Sequence, residues 1–275
     1  MPPADGQGVR AFRPRVSAAR VRPWIPLFAG FKATGIALAL LHHPVGALAV
    51  FFALDPWLFL QFILPSQQAF GPAATSFETS RREVWLTIDD GPDPASTPQL
   101  LELLKRHGAK ATFFVVGEQV RRHPDLVRRI VAEGHSVANH SDSHPSWDFW
   151  CASPGRIASE IDGCVAALLL ASVPFDRYFR PPVGVRNPFL DSQLSERGME
   201  LVLWGARGRE GAGGRPEAAL ARISRRIRPG AILLSHEAGP RVRQRVAFDE
   251  LLLGHLTREG YACVIPPREA LRARA

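Results

Sequence analysis

Cysteine is scarce in this chain, with 3 in 275 residues. Cys151, Cys164 and Cys263 are an odd number without zinc-ribbon spacing, which fits a reducing compartment better than a disulfide scaffold. No internal repeat is present, so a repeat architecture is excluded. Acid is short relative to base: 26 Asp and Glu face 34 Lys and Arg, a formal net charge of +8. That excess suits an anionic membrane surface or an anionic substrate, and with no nucleic-acid motif beside it, DNA or RNA binding is set aside. Also missing is the small-residue cleavage site of a signal peptide ahead of a secreted domain.

What is abundant is apolar sequence near the N-terminus. From Trp24 to Leu64 the sequence is almost wholly apolar, apart chiefly from Lys32, His42-His43, Asp55 and Gln61. The stretch divides at His42-His43-Pro44 into Trp24–Leu41 and Val45–Leu64, each close to the ~20 residues that span a bilayer. Because Lys32 breaks the first piece and Asp55-Pro56 the second, two full spans and a re-entrant or interfacial hairpin both fit, as does an uncleaved single anchor. Arg10, Arg13, Arg15, Arg20 and Arg22 precede the region and Arg81 and Arg82 follow it, while the turn between the pieces has no Lys or Arg. By the positive-inside tendency both flanks belong in the cytoplasm.

Beyond this region strands and helices alternate. Strands are expected at Val84–Ile88, Ala111–Val115, Ser136–Asn139, Arg177–Phe179, Glu200–Trp204, Ala231–Ser235 and Tyr261–Ile265. Helices are expected near Thr97–His107, Asp125–Glu133, Gly155–Leu170, Pro188–Arg197, Pro216–Ile227 and Val242–Thr257. This pattern belongs to a parallel barrel or a doubly wound sheet. Chemistry-bearing residues cluster at strand ends: Asp89-Asp90-Gly91-Pro92, then Asn139-His140-Ser141-Asp142-Ser143-His144, Phe179-Arg180-Pro181-Pro182-Val183-Gly184, Leu203-Trp204 and Leu234-Ser235-His236. Side chains alternate along a strand, but the Gly91-Pro92 turn ends the pleat and lets Asp89 and Asp90 share one cleft. On a helical turn, His140 and His144 would lie on one face; two imidazoles and a carboxylate make a metal triad with open coordination positions. Groups from many strand ends converge on one mouth if the sheet closes, which favours the barrel.

Over residues 83–268 these five motifs, in this order, resemble the polysaccharide deacetylase family, the carbohydrate esterases of family 4 that share the NodB homology domain. The resemblance implies an α/β fold, a distorted (β/α)7 barrel, here preceded by an N-terminal apolar membrane hairpin. It implies that Asp89 is the catalytic base, held by Arg180, that His236 is the general acid, and that the backbone near Val183 helps form an oxyanion site. Asp90, His140 and His144 would hold a divalent metal, Zn2+ foremost, with Co2+, Mn2+ and Ni2+ as alternatives. The fourth motif departs from the family pattern: after Trp204, which would line the site, come Arg207, Arg209 and Glu210. Glu210 would replace the acidic partner of His236. Arg207 and Arg209 read either as a phosphate contact or as a solvated basic loop. Val183 stands where an aromatic is common.

The expected organisation is a basic tail (1–23), a membrane-associated hairpin (24–65), a linker (66–82), the deacetylase domain (83–268) and a C-terminal tail (269–275). The expected activity is metal-dependent removal of an N-acyl, foremost N-acetyl, group from an aminosugar, lipid-linked and reached at a bacterial-type inner membrane from the cytoplasm. Alternatives are deacetylation of envelope polysaccharide or peptidoglycan on the periplasmic or extracellular face, and an inactive sugar-binding barrel.

Overall fold

The apolar N-terminal region folds into helices α1 (Trp24–Leu40), α2 (Pro44–Phe52) and α3 (Asp55–Ile63). These come from a computed structural model that describes residues 24–65, 67–210, 215–239 and 241–273; the arginines of residues 10–22 lie outside the described residues. Pro44 and Pro56 sit in the first turns of α2 and α3, where a missing N–H breaks no helical bond. Pro44–Ile63 together is long and apolar enough to cross a membrane, with a mean hydropathy of 1.7. Lys32 and Asp55 neutralise each other inside this region: Lys32 Nζ lies 2.7 Å from Asp55 Oδ1 and donates to Phe51 O. The rings of Phe28, Phe51 and Phe52 surround the ammonium.

The remaining chain runs β1 (Ala74–Phe77), β2 (Glu83–Asp89), α4 (Thr97–Arg106), β3 (Ala111–Val115), α5 (Gly117–Arg122), α6 (Pro124–Ala132), β4 (Ser136–Asn139), α7 (Pro154–Leu170) and β5 (Tyr178–Phe179). It continues through α8 (Leu190–Glu196), β6 (Glu200–Leu201), β7 (Ala206–Arg207), α9 (Pro216–Ser224), β8 (Ala231–His236), α10 (Val242–Arg258), β9 (Ala262–Cys263) and β10 (Leu271–Ala273). Local sequence explains the helices. In α7 the Ser153 hydroxyl caps the N-terminus by accepting from Arg156 N–H, and Ile157, Ile161, Cys164 and Leu168 bury one face at helical spacing. In α4, Leu100, Leu101 and Leu104 face the sheet, Lys105 and Arg106 suit the C-terminal dipole, and Gly108, at φ 58, takes the left-handed turn after it.

The sheet order is β10-β1-β8-β2-β3-β4-β5-β6, parallel from β8 to β6, with β7 added to β8 and β9 to β2. A bridge between Ala74 and Val202, with Leu203 N–H donating to Ala74 O, returns the far edge to β1 and closes the barrel. Closure depends on a segment assigned from sequence to the linker: β1 lies within 66–82, and its antiparallel partner β10 lies within the residues assigned to the tail. The expected strands Glu200–Trp204 and Tyr261–Ile265 are shorter, at Glu200–Leu201 and Ala262–Cys263, because Val202 and Leu203 already turn to meet β1.

β2 is buried along almost its whole length, as expected of a strand covered on both faces. Its alternation separates two environments. Val84, Leu86 and Ile88 pack outward beneath the helices, in a core shared with Phe113, Leu233 and Phe248. Trp85 points into the barrel with Phe114, Ala138, Tyr178 and Ile232, and its indole donates to Thr112 Oγ1 at 2.8 Å. Period two then places Thr87 above Trp85 and Asp89 above Thr87, at the C-terminal mouth.

Candidate active site

Asp89 is buried at the mouth and meets the most buried cation of the barrel. Arg180 Nη1 lies 2.6 Å from Asp89 Oδ1 and 2.8 Å from Thr87 Oγ1; Nε donates to Val202 O and Nη2 to Leu203 O, both at 3.1 Å. Arg180 is fully buried, its guanidinium over the Phe114 ring. Burial lowers its pKa from the ordinary arginine value, while the Asp89 carboxylate opposes that shift. Removing one partner of such a pair leaves an uncompensated buried charge, a loss of ~3–5 kcal/mol. Arg180 therefore fixes one carboxylate oxygen of Asp89 and leaves Oδ2 facing the cleft, 3.8 Å from His140 Nε2.

The next residue would point outward if the strand continued. Instead Asp90 adopts φ 79, a left-handed conformation that ends the pleat and swings its carboxylate into the same cleft. Gly91 follows because the backbone there passes Glu237: a Cβ at residue 91 would fall 1.5 Å from Glu237 Oε1. Asp90 Oδ1 lies 3.4 Å from His140 Nε2 and 3.3 Å from His144 Nε2, and one ligand atom from each of the three residues lies within 4.8 Å of the others. This cluster can hold a metal ion. His140 Nδ1–H donates to Arg180 O at 2.8 Å, which leaves Nε2 directed at Asp90. Burial and the His140 charge bring His144 down to about 4, despite Asp90 and Asp89, so its imidazole is neutral at pH 7, as a ligand requires. Burial would raise Asp90, but His140, His236 and His144 hold it well below the usual carboxylate range.

The expected helical turn for the two histidines is not present. Residues 140–144 form a loop in which Ser141 and His144 have φ 69 and 54, and this reversal brings the rings to 5.0 Å between centroids. Glu160 of α7 shapes the loop by accepting from Asp142 N–H, Ser143 N–H and the Ser143 hydroxyl, and the Asn139 side chain accepts from Ser141 N–H.

His236 lies beside Asp89 across adjacent strands, the two residues being paired in register. Its Nδ1 bonds the buried carboxylate of Glu210. Burial disfavours the imidazolium, but the Glu210 bond and charge, with Asp90 and Asp89, outweigh it and push the His236 pKa up to about 9. Trp204 is buried with its ring against Gly184, where φ is +70 and a Cβ would fall 2.1 Å from the indole. Val183 is exposed on that loop with φ 50. Arg207 is half-buried over the Trp204 ring at 5.1 Å, and burial, Arg209 and Arg226 lower its pKa. Arg209 is exposed, and among the described residues neither arginine has a carboxylate in salt-bridge range.

Three residues near the site carry no motif. Arg245 of α10 places Nη1 3.4 Å from Asp90 Oδ2. Glu237 bonds Thr97, and Asp249 is buried beside Ser235; burial pushes each carboxyl up to about 8. The helical periodicity of α10 marks positions 245 and 249 as one face, yet gives no sign of which strand end they meet. Cys151 is exposed, and His135 is buried, accepting from Ala111 N–H.

A closed α/β barrel with a carboxylate–arginine pair, an Asp-His-His cluster and a histidine–carboxylate pair at the C-terminal mouth defines a hydrolase of the carbohydrate esterase type. Residues 77–202 match the family model described as polysaccharide deacetylase. A chitooligosaccharide deacetylase from Bradyrhizobium sp. (strain ANU 289) is 36% identical over 169 residues, 61% of this chain and 76% of the relative. A solved peptidoglycan N-acetylglucosamine deacetylase superposes with a TM-score of 0.65 at 28% identity, covering 70% of this chain and 89% of that one. A solved family 4 carbohydrate esterase pseudoenzyme from Bacillus anthracis superposes with a TM-score of 0.62 at 26% identity, covering 69% of this chain and 65% of that one. The chain belongs to the polysaccharide deacetylase family.

Proposed function

We propose that this protein is a metal-dependent N-deacetylase of an aminosugar carried on a membrane lipid, with its active site on the cytoplasmic side of a bacterial-type inner membrane. The observation that carries the catalytic part is the completeness of the constellation. Because similar structures include a pseudoenzyme, the fold alone does not imply turnover. Here the base, its arginine, three ligand groups and the acid with its carboxylate all converge on one mouth. A binding module needs no such set.

Asp90, His140 and His144 would hold the ion, and their two imidazoles and one carboxylate suit Zn2+, with Co2+, Mn2+ or Ni2+ as alternatives. When bound, the ion polarises the amide carbonyl and acidifies water. Asp89, oriented by Arg180, accepts the proton of the attacking water on Oδ2. His236, protonated at pH 7 through Glu210, donates to the nitrogen as the C–N bond breaks, since an amide anion does not leave at neutral pH. The backbone near Val183 would supply an N–H to the developing oxyanion, a contact typically worth about 3 kcal/mol. Trp204 would form the wall beside it.

The relatives' names speak of chitooligosaccharide and of peptidoglycan N-acetylglucosamine, which supports an N-acetylated aminosugar as the reacting unit. Lipid linkage is supported by the apolar Pro44–Ile63 stretch joined to the barrel and by Arg207 and Arg209, whose guanidinium forks suit a linking phosphate. The cytoplasmic assignment rests on arginine on both flanks of the hairpin. The test compares acetate release from a short N-acetylated chitooligosaccharide and from an N-acetylated aminosugar on a polyprenyl phosphate, with a topology reporter fused after Ala275. Preference for the lipid-linked sugar with a cytoplasmic reporter supports the proposal. Preference for the oligosaccharide with an external reporter replaces it with deacetylation of envelope polymer.

A further inference from the structure

Three pieces of chain far apart in sequence form one surface beside the mouth. The carbonyl of Phe62, near the end of α3, accepts from Arg186 N–H at 2.9 Å, which ties the apolar helices to the loop that follows Val183. Asn187, next to Arg186, directs its side-chain amide at the carbonyls of Phe149, Trp150 and Ala152, within 2.9 to 3.1 Å, and so ties that loop to the one that follows His144. The Phe62 ring then meets both Phe70 and Trp150 edge-on. α3, the 182–189 loop and the 144–152 loop are therefore joined, and the third of these carries a candidate metal ligand.

This joined surface is apolar where it faces outward. Leu60 and Ile63 on α3, Trp147 and Trp150 on the histidine loop, and Val183 and Phe189 on the other loop are all exposed, Trp147 at 92%. Two outward indoles in one short loop are not explained by packing within the barrel, and Trp is the side chain favoured at the headgroup level of a bilayer. Asp148, between them, is paired with Arg156, so the loop presents no lone charge to such a surface.

We infer that the rim of the active-site mouth itself sits in the membrane interface, Trp147 and Trp150 at headgroup depth, so that the site opens toward the bilayer surface and takes sugars borne by amphiphiles in the plane of the membrane. The inference rests on the membrane reading of α1–α3 and adds to it a direction. A hairpin could anchor a barrel whose mouth faces the solvent; here the mouth loops and the apolar helices form the same face. Long soluble polymers are then excluded from the membrane-bound enzyme by the position of the mouth.

The chain supplies its own probe. Cys151 is exposed beside Trp150, while Cys164 and Cys263 are buried, so a thiol-reactive fluorophore reports from the rim. The full chain, labelled at Cys151, is reconstituted into phosphatidylcholine–phosphatidylglycerol vesicles with nitroxide-labelled lipid as quencher. Two reference labels, each in a C151S background, are placed by L48C on α2 and by K105C at the end of α4, which topology puts at the opposite end of the barrel. The expected result is severalfold quenching at residues 48 and 151 and none at 105. Quenching at 48 with residue 151 behaving like residue 105 overturns the inference and leaves the anchor intact. Absence of quenching at both 48 and 151 removes the membrane reading and the inference with it. As a second measurement, W147S/W150S is expected to lose severalfold in rate on an N-acetylated aminosugar lipid in vesicles while keeping its rate on a short soluble chitooligosaccharide; equal rates on the lipid substrate for wild type and variant also overturn it.

Discussion

Glu210→Gln isolates the contact that, in the proposed reaction, prepares His236 as proton donor. In the native protein the His236 imidazole is half-buried, which works against its charge, yet the bond to Glu210 and the nearby Asp90 and Asp89 push its pKa up to about 9. Glutamine keeps a hydrogen-bond acceptor of similar shape and removes the negative charge. If the pKa falls back toward the ordinary histidine value of ~6.5, the change of up to ~2.5 units corresponds to ~3.4 kcal/mol of lost preference for the imidazolium. The sign follows from the role: a general acid works while protonated, so activity is lost as pH rises through its pKa. A profile of kcat/KM against pH on an N-acetylated aminosugar reports the free enzyme. Its basic limb is expected near pH 9 in the native protein and roughly 2 units lower in the variant, with the acidic limb in place. At pH 6 the variant retains most of its activity and at pH 8 little. A basic limb that stays where it was, with the plateau merely lowered, would show that Glu210 does not set the charge of His236.

Three further outcomes follow from the same geometry. Arg180→Met removes the partner of a buried carboxylate and should lower unfolding free energy by ~3–5 kcal/mol, measured by denaturant titration; a loss below about 1 kcal/mol would mean that the pair is not buried as described. Neutralising Arg207 and Arg209 together should weaken action on a phospholipid-linked aminosugar, at ~1.5–3 kcal/mol per charge-assisted contact, and leave a small uncharged N-acetyl sugar nearly unaffected; equal losses on both would assign the loop a structural role. Asp249→Asn tests the carboxyl that burial pushes up to about 8. Its folded pKa exceeds its unfolded one, so the native protein loses stability as pH rises from about 4 to about 8, and the variant should gain more in Tm at pH 8 than at pH 5.

Much of the mouth was legible because short-range rules decide it. Alternation along β2 places Asp89 inside the barrel, and the Gly91-Pro92 turn announces that Asp90 leaves the pleat. The pairing of Glu210 with His236 came instead from the family resemblance, through its place in the fourth motif after Trp204, and the structure joins them. The histidine pair was found by spacing but for a different local reason: left-handed Ser141 and His144, shaped by Glu160, replace the expected helical turn. The barrel was legible but the strands that close it were not, because β1 is a short run, Ala74–Phe77, whose pairing with β8, β10 and Val202 is entirely long-range. Arg245, Asn187 and Asp249 were missed for the same reason. Each lies in a loop or on a helix, and its partner is set by tertiary packing rather than by any periodic signal.

In the proposed reaction one carboxylate of the Asp89-Asp90 pair handles the proton while the other holds the metal. Metal content by elemental analysis and turnover on an N-acetylated aminosugar, measured together on wild type, Asp89→Asn and His140→Ala, test it directly. Metal and turnover are expected in wild type, metal with a ~10²–10⁴-fold slower rate in Asp89→Asn, and neither metal nor turnover in a folded His140→Ala. Near-normal turnover in Asp89→Asn, or full metal in His140→Ala, would contradict it.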